Sequence, residues 1–597
     1  ALCLKDEFIR SGYDLKEVNI VYVAKHPYFI LQVSKRGDIE ASEFVFSAET
    51  GNIAEKEVIR HVDALKTILS GVEFGSDLYV EGRTVARLKI IPDMAQNFSM
   101  LLTINSSDLI VTNFYFFKAA NSRSGDAFEI PDEAGIITED IEDIFPHAYR
   151  RAIARHIPYA HAPGADITEL LSQEGVDGTW VIFEVVDGTD GLKVNLRLAT
   201  VEEIKNREIP GAGFVVGIPE ANLEFDSKVV APEELYSLSR EELLGIIGPK
   251  AANLAELKRM NRPEIEVPDF MALTFSAYDK IINKNPNLIL TKYESMIFDE
   301  EGESVRELIE GACHFSSQHD GISLRGKLEM LRALIEQAEI PPEYREEILA
   351  LVKAKFLDKG IRWGIFRTST NAEDLDQYPG VGAGLYGSYY PVDLTDEDAI
   401  FKAIKQCWAS MWTERAFQDR EFFNIDQFKA MAGVIIQEFI PGDYSFVINT
   451  ARSAKEDTLE FGVVQGLAPV LVLKNIELRD ELPDLAFQNI DMEDKRPHTF
   501  IYNRDSGELF RDAYSGKKIR LVFNTTTGKI DVMPVDNASD IFSLDNIPDL
   551  AMQIANIGVI LHKYFGIAQD IEGVIKIDPV TGKPRIYVVQ SRALPLP

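Results

Sequence analysis

The N-terminal part of the chain shows the alternation of apolar and polar positions that predicts β-strands. Turn signals such as Lys35–Asp38 and Thr50–Asn52 separate short runs rich in β-branched and aromatic residues. We predict a β-rich module over residues 1–125, with a helix near Glu55–Ser70. The strand-like runs are Asn19–Val23, Tyr28–Val33, Arg87–Ile91 and Leu109–Phe117.

The pattern becomes mixed between residues 126 and 237. A more helical segment ends near residue 172, strands return from Trp180 to Gly217, and Asp187–Gly191 has the sequence of a hairpin turn. A helix-forming hinge around Pro232–Glu242 then leads into a new domain, which we place from about residue 238 onward.

Apolar positions three and four residues apart predict helices in much of the remaining chain. We predict a region 238–392 with a helical insertion, and a region 393–597 with a polar, sheet-bearing insertion at about 474–545. The expected fold class is a multidomain α+β protein. The predicted elements are the helices Leu328–Gln337, Tyr344–Phe356 and Ala399–Arg420, and the buried strand Gly433–Ile440.

Length, composition and charge restrict the classes of protein to which this chain can belong. A chain of 597 residues with 46% hydrophobic and 26% charged residues is expected to form several globular domains. The net charge of −33 repels nucleic acid and anionic membrane surfaces. The cysteines are too widely spaced for a disulfide framework, and no apolar run suits a membrane span or a signal peptide. We therefore expect a cytoplasmic protein without nucleic-acid or membrane partners.

The segment Gly364–Val392 carries the pattern of an anion-binding site. A short apolar run places Arg367 before a group of hydroxyl and amide side chains, and a glycine-spaced loop follows. Arginine forms bidentate contacts with phosphate oxygens, and glycines let backbone amides approach a ligand. An ordinary loop, or a helix capping box formed by Thr370 and Glu373, remains an alternative. The glycines are Gly380, Gly382, Gly384 and Gly387.

Lys250 follows Gly248 and Pro249, a pair that predicts the start of a helix. A cation in the first helical turn opposes the helix dipole, whereas an anion bound there would contact both the free amides and the ammonium group. The alternative is a surface lysine with an extended side chain.

The C-terminal segment Asp570–Arg592 is typical of two strands joined by a turn. If this hairpin is symmetrical about Thr581, Ile577 faces Arg585, and side chains at every second position lie on one face. The facing pairs further from the turn are then Glu572 with Gln590, and Asp570 with Arg592.

Two carboxylates, an amide oxygen and a guanidinium on one face would suit a Mg²⁺ site beside a phosphate-binding group. Polar pairs on a solvated face are the alternative. At the end of the strand Gly433–Ile440, the backbone near Glu438 could bind a planar base while Ile440 packs on it, although plain core is the commoner use of such strands. His147, His156 and His161 lack ligand spacing and are interpreted as ordinary histidines.

These segments together resemble the ATP-grasp nucleotide-binding domain of the pyruvate phosphate dikinase and phosphoenolpyruvate synthase superfamily, and within it the glucan, water dikinases. The resemblance covers about residues 238–597, while residues 1–237 match no family that we recognise. The motifs that carry it are GPKAANLAEL, FRTSTNAEDLDQYPGVGAGLYGSYYPV, CWASMWTERAFQDR, VIIQEFIPGDYSFVINT and FGIAQDIEGVIKIDPVTGKPRIYVVQSR.

The resemblance implies an ATP-grasp fold, with two lobes around a nucleotide cleft, and a role for each matching residue. Lys250, Arg367 and Arg592 would contact the ATP phosphates and act in catalysis, with Gly380, Gly382 and Gly384 lying over the phosphates. The adenine would be bordered by Glu438 and Ile440. Mg²⁺ would be held by Glu572 and Gln590, with Asp570 nearby.

Two features depart from the family. A GLGE-type segment is replaced by Val464–Val470, and the TSHA- or SHVS-like context of a phosphorylated histidine does not occur. The leading hypothesis is an ATP- and Mg²⁺-dependent phosphotransferase, of kinase or dikinase type, whose N-terminal region binds a hydroxyl acceptor such as a carbohydrate. The alternatives are a non-catalytic nucleotide-sensing or carbohydrate-binding protein, and a dikinase half without its phosphohistidine domain.

Overall fold

The computed structural model of this protein divides into two compact units. Unit 1 comprises Ala1–Glu142 and His156–Pro210, and unit 2 comprises Asp143–Arg155 and Gly211–Pro597. The predicted helix near Glu55–Ser70 lies outside the described part. The residues that the structure describes are 15–22, 28–35, 41–47, 72–74, 79–91, 113–117, 133–138, 152–161, 180–188, 191–199, 203, 215–226, 229–283, 324–452, 457–469, 497–536, 538–544 and 547–596.

Unit 1 contains a three-stranded and an eight-stranded sheet. The first has the order β1-β2-β3, and the second has the order β4-β11-β10-β6-β7-β8-β9-β5, in which β6, β7, β8 and β9 run parallel. The strands are β1 (Leu15–Tyr22), β2 (Tyr28–Lys35), β3 (Ala41–Ser47), β4 (Val72–Phe74), β5 (Tyr79–Val80), β6 (Gly82–Ile91), β7 (Asn113–Phe117), β8 (Glu133–Thr138), β9 (Tyr159–His161), β10 (Trp180–Gly188) and β11 (Gly191–Leu198).

The strand-like runs of the N-terminal sequence coincide with β1, β2, β6 and β7, and Gly188 faces Gly191 in the predicted hairpin. The β-rich module 1–125 as a whole stays a prediction. The helical interpretation of the segment up to residue 172 is wrong at β8 and β9. Strands of six and three residues are too short to show a clear period, and parallel pairing with β7 decides their conformation.

Unit 2 contains a five-stranded antiparallel sheet, a six-stranded antiparallel sheet and a separate hairpin. Their orders are β12-β13-β16-β14-β15, β20-β19-β18-β17-β23-β24 and β21-β22. The strands are β12 (Val229–Val230), β13 (Phe270–Leu273), β14 (Trp363–Thr370), β15 (Ser388–Asp393), β16 (Ala432–Glu438), β17 (Tyr444–Asn449), β18 (Thr458–Gln465), β19 (His498–Asn503), β20 (Leu509–Ala513), β21 (Ile519–Asn524), β22 (Lys529–Pro534), β23 (Gln569–Ile577) and β24 (Pro584–Ala593).

Helices flank these sheets, and none in the described residues is long and apolar enough to cross a membrane. The α-helices are α1 (Arg240–Met260), α2 (Phe275–Tyr278), α3 (Leu324–Gln337), α4 (Pro342–Lys355), α5 (Glu397–Ser410), α6 (Glu414–Phe422) and α7 (Asp549–Phe565). Shorter helical turns are Pro232–Leu235, Asp279–Asn283, Leu357–Lys359 and Ile541–Ser543.

The helices predicted near Leu328–Gln337 and Tyr344–Phe356 are confirmed as α3 and α4. The single helix predicted over Ala399–Arg420 is wrong, because the chain divides it into α5 and α6. Thr413 takes an extended conformation there, and its hydroxyl accepts a hydrogen bond from the amide of Ala416. A threonine at this position therefore starts a new helix.

α1 bends sharply at Gly248, which has φ 79° and ψ 163°. A Cβ atom there would lie 2.6 Å from the hydroxyl oxygen of Ser369, so only glycine allows this approach to β14. The helix resumes at Pro249, as its sequence predicts, and Lys250 lies in the first turn after the bend.

The main core of unit 2 lies between α1, α7 and the six-stranded sheet. Leu254 of α1, Ile554 of α7 and Phe461 of β18 are fully buried in it. A second cluster packs the β21–β22 hairpin, through Leu521, against Val464 of the six-stranded sheet and Trp363 of the five-stranded sheet. Both sheets are thus held in one hydrophobic unit. The proposed domain boundaries stay predictions.

Candidate functional site

Arg367, on β14 of the five-stranded sheet, reaches the β23–β24 hairpin of the six-stranded sheet. Its Nη1 donates to the carbonyl oxygen of Val589 over 3.1 Å, and its Nη2 donates to Oε1 of Gln590. The same Nη2 lies 3.7 Å from Oε2 of Glu572. The side chain of Arg367 is nine-tenths buried, so these contacts are made largely out of water.

The predicted pairs of this hairpin are confirmed, because Glu572 faces Gln590 and Asp570 faces Arg592. The predicted symmetry is wrong, however, since Ile577 faces Pro584 rather than Arg585. The observed turn is one residue shorter than the symmetrical one, and Val589 supplies the missing residue as a β-bulge opposite the step from Glu572 to Gly573.

The bulge places the polar groups on one face. Without it, the register near the turn would put Gln590 and Arg592 on the opposite face from Glu572 and Asp570, because a one-residue slip turns every side chain over. It also directs the carbonyl of Val589 toward Arg367.

Glu572 and Gln590 each present a side-chain oxygen to Arg367. Nε2 of Gln590 donates to Oε1 of Glu572 over 3.2 Å, so Oε1 of Gln590 and Oε2 of Glu572 both face Arg367. Among the described residues, no group of three or more His, Cys, Asp or Glu side chains is arranged to hold a metal ion. The donor types suit Mg²⁺, which commonly takes one or two protein ligands and completes its shell with water and phosphate oxygens.

Arg592 lies between two buried carboxylates. Its Nε donates to Oδ2 of Asp570 over 2.9 Å, and its Nη1 donates to Oδ1 of Asp374 over 3.3 Å. Burial alone lowers the pKa of Arg592, but Asp570 and Asp374 outweigh burial and hold that pKa above its ordinary value. The guanidinium therefore stays charged in a nearly dry environment.

Lys250 is held against the end of β14. Its Nζ donates to Oε2 of Glu373 over 2.9 Å and to the carbonyl oxygen of Thr368 over 3.2 Å. Burial raises the pKa of Glu373 to about 7, Lys250 opposes this shift, and the neighbouring Asp374 adds to it. Lys250 is thus a buried site residue, and the surface-lysine alternative is wrong.

Glu373 and Asp374 were not among the predicted site residues. The sequence predicts for Glu373 only the alternative of a capping box with Thr370, and the carboxylate of Glu373 accepts a hydrogen bond from the amide of Thr370 over 3.3 Å. Turns, rather than a helix, follow. The signal available in the sequence is a pair of adjacent acidic residues shortly after a buried strand. Charged side chains are rarely fully buried without a partner, so such a pair indicates a nearby cation.

The glycine loop is tied to the same region. Gly380, Gly382 and Gly384 have φ values of 88°, 71° and 71°, which favour glycine. The amide of Gly382 donates to Oδ2 of Asp419 over 3.2 Å, and the other oxygen of Asp419 pairs with the fully buried side chain of Arg155 at 2.8 Å. The loop is therefore anchored through a residue far outside the quoted motifs.

Glu438 and Ile440 lie at the end of β16, which stops at Glu438 rather than at the predicted Ile440. The amide of Glu438 donates to the carbonyl of Asp269 over 2.8 Å. Burial raises the pKa of the Glu438 carboxyl. Both residues are half-buried, and their place beside a base stays a prediction.

The segment that replaces the family's GLGE-type sequence has a structural use. The side-chain amide of Gln465 donates a hydrogen bond to the carbonyl oxygen of Asp536 over 2.9 Å. Its oxygen accepts one from the backbone amide of Asp536 over 3.0 Å. Gly466 has φ 84°, and a Cβ there would lie 2.4 Å from the carbonyl oxygen of Leu521. The segment thus joins β18 to the region around the β21–β22 hairpin.

Three histidines are interpreted from the sequence as ordinary ones. Of these, His147 lies outside the described residues, His156 is exposed and His161 ends β9. The predicted charged residues, by contrast, are brought together with two further carboxylates. The cations are Lys250, Arg367 and Arg592, and the carboxylates are Glu373, Asp374, Asp570 and Glu572.

Comparisons with known proteins match part of unit 2 to a family of nucleotide-binding domains. Residues 244–469 match the family described as pyruvate phosphate dikinase, AMP/ATP-binding domain. An alpha-glucan water dikinase of Citrus reticulata is 24% identical over 497 residues, which cover 78% of this chain and 28% of that protein. A probable phosphoenolpyruvate synthase of Pyrococcus horikoshii is 23% identical over 377 residues, which cover 60% of this chain and 42% of that protein.

The chain spans less than a third of the length of the glucan water dikinases that it matches. Alpha-glucan water dikinase 1 of Arabidopsis thaliana shares 25% identity over 78% of this chain and 29% of its own length. A share of 78% extends beyond the segment 238–597, so part of residues 1–237 is also similar to these relatives. The comparisons confirm the resemblance: the chain is similar to the dikinases of the pyruvate phosphate dikinase and phosphoenolpyruvate synthase superfamily through an AMP/ATP-binding domain.

Proposed function

We propose that unit 2 binds ATP with Mg²⁺ in an ATP-grasp arrangement and transfers a phosphoryl group from ATP to a hydroxyl acceptor. The observation that carries this proposal is the meeting of Arg367 with Gln590 and Glu572, which are more than 200 positions away in the sequence. A buried guanidinium beside two oxygen ligands offers one contact to a phosphate and another to its metal ion.

Each group has a task in this proposal. Arg367, Arg592 and Lys250 orient the phosphates and offset the charge that develops during transfer. Glu572 and Gln590 would hold Mg²⁺, which supplies further neutralisation of phosphate oxygens. The four carboxylates outnumber the three cations, so the metal ion is needed to offset the repulsion of a polyanionic nucleotide.

The base lies beside Glu438 and Ile440, and the glycine loop covers the phosphates. The relatives named alpha-glucan water dikinases suggest an α-glucan hydroxyl as the acceptor. Residues 1–237, part of which share that similarity, are the candidate acceptor-binding region.

The test is mass spectrometry of nucleotide products after incubation of the full chain with Mg²⁺-ATP and α-glucan. Acceptor-dependent ADP indicates direct transfer, and AMP with phosphate indicates a dikinase reaction. Arg367→Met should abolish either product, whereas Arg362→Met, a change of an exposed arginine at the start of the same strand, should not. No turnover with any hydroxyl acceptor would contradict the proposal.

A second function is favoured by the absence of the family's phosphohistidine context from this sequence. The chain would then bind nucleotide without turnover, or act as a dikinase half that passes its phosphoryl group to a histidine elsewhere. ATP binding without ADP or AMP release indicates the first. Labelled phosphate on a histidine of the chain itself, such as His147, His156 or His161, argues against both.

A further inference from the structure

The ammonium group of Lys250 is already engaged by protein groups. It contacts Oε2 of Glu373 at 2.9 Å and the carbonyl oxygen of Thr368 at 3.2 Å, and the side chains of Lys250 and Glu373 are 8% and 1% exposed. A phosphate that binds Lys250 must share or replace the contact with Glu373. Glu373 therefore lies close to the nucleotide whenever Lys250 binds a phosphate.

We propose that Glu373 is a positioning residue that holds Lys250 ready in the nucleotide-free protein and takes up one proton when an ATP phosphate binds Lys250. This inference rests on the proposed function. The proton passes from solvent to the Glu373 carboxylate, and no bond to phosphorus is made or broken in the step.

The surroundings of Glu373 make an unpaired carboxylate unfavourable. Burial raises its pKa to about 7 even with Lys250 in place, and Lys250 is the cation that opposes the shift. When phosphate oxygens offset the charge of Lys250, this opposition weakens, and the phosphate adds a negative charge of its own. Ionised Glu373 would then face the ligand with little solvent to screen the repulsion.

Two further groups lie close to Glu373, and neither supplies a positive charge that would replace Lys250. Asp374, adjacent in the chain, raises the pKa of Glu373. It does so although Asp374 itself accepts a hydrogen bond from Arg592. In the glycine loop, burial and, to a smaller extent, the nearby Glu373 raise the pKa of Tyr386 to about 12, so its phenol stays neutral. Whether Glu373 is ionised therefore depends on whether the ammonium group of Lys250 pairs with Glu373 or with a phosphate.

The experiment is titration calorimetry of the full chain with a non-hydrolysable Mg²⁺-ATP analogue in buffers of different ionisation enthalpy. At pH 8 a carboxyl with a pKa of about 7 is about nine-tenths ionised, so binding should take up close to one proton. At pH 6 the uptake should fall to about a tenth of a proton, because the group is already protonated. This pH dependence is measured first in the wild-type protein, so it does not depend on how well a variant folds.

Glu373→Gln should lose the proton uptake at pH 8, and Glu343→Gln, which changes an exposed glutamate of α4, should keep it. The difference between wild type and Glu373→Gln removes any protons that the nucleotide itself exchanges. Binding with equal proton uptake at pH 6 and pH 8, or with equal uptake in wild type and Glu373→Gln, overturns the inference while leaving the proposed function standing. Absence of any binding overturns both.

Discussion

Replacing Arg592 by leucine should strongly destabilise unit 2. The substitution removes the cation that lies 2.9 Å from Asp570 and 3.3 Å from Asp374, each about 1% exposed at the side chain. Two buried carboxylates then lose the guanidinium that both of them contact. Breaking a buried ion pair from one side costs about 3–5 kcal/mol, and we expect a loss of that size in the free energy of unfolding.

The assay is urea unfolding followed by tryptophan fluorescence. Trp363, Trp408 and Trp412 all lie in unit 2, so the signal reports mainly on this unit. The matched control is Arg362→Leu, which removes an arginine that pairs with Asp393 at 2.6 Å but is 57% exposed. A surface pair of this kind contributes about 0–1 kcal/mol, so the control should unfold almost as wild type does.

A second variant distinguishes charge from packing. Asp374→Asn introduced into Arg592→Leu removes one of the two buried carboxylate charges and should recover about 1–2 kcal/mol. If Arg592→Leu costs no more than Arg362→Leu, or if Asp374→Asn gives no recovery, then buried charge pairing does not stabilise this site and the reasoning is refuted.

Three further predictions concern the groups around the site. Between pH 5 and pH 8, wild type should lose about 2–3 kcal/mol of unfolding free energy relative to Glu373→Gln in urea titrations, because the raised pKa of about 7 gives stability below pH 4.5 that is lost as the pH rises through 7. Gly382→Ala should lower the melting temperature more than Gly582→Ala in calorimetric scans; both have left-handed φ values, but the new methyl meets a carbonyl oxygen at 2.7 Å only at Gly382. Arg155→Met should cost about 3 kcal/mol in urea unfolding by removing the cation that pairs with the buried Asp419, and Asp419→Asn in the same chain should restore part of that loss.

The charged residues of the site could be predicted because each has a local signature. A lysine directly after Gly-Pro, an arginine at the end of an apolar run and alternating polar residues on a C-terminal hairpin are all visible in the sequence. The structure brings these residues together through contacts that span from 118 to 223 positions. Local patterns thus indicate which residues carry chemistry, while the sheet pairings decide which of them meet.

The missed features have physical reasons. The bulge at Val589 leaves no mark in the alternation of β24, and the correct pairs were reached only because a longer turn and a bulge shift the register equally. Glu373 and Arg155 were missed because their partners lie 123 and 264 positions away. The division of α5 from α6 depends on one capping threonine inside an otherwise helical pattern.

The Val589 bulge separates the exposed turn of the β23–β24 hairpin from the site pairs, and this restricts how the hairpin can change its length. One residue inserted in the turn, where Val580 is 91% exposed, lengthens the loop and leaves both site pairs in register. Deletion of Val589 straightens β24 and also keeps both pairs, but it removes the carbonyl that Arg367 contacts. The turn can therefore change its length without disturbing the site pairs, whereas loss of the single bulge residue removes a contact of Arg367.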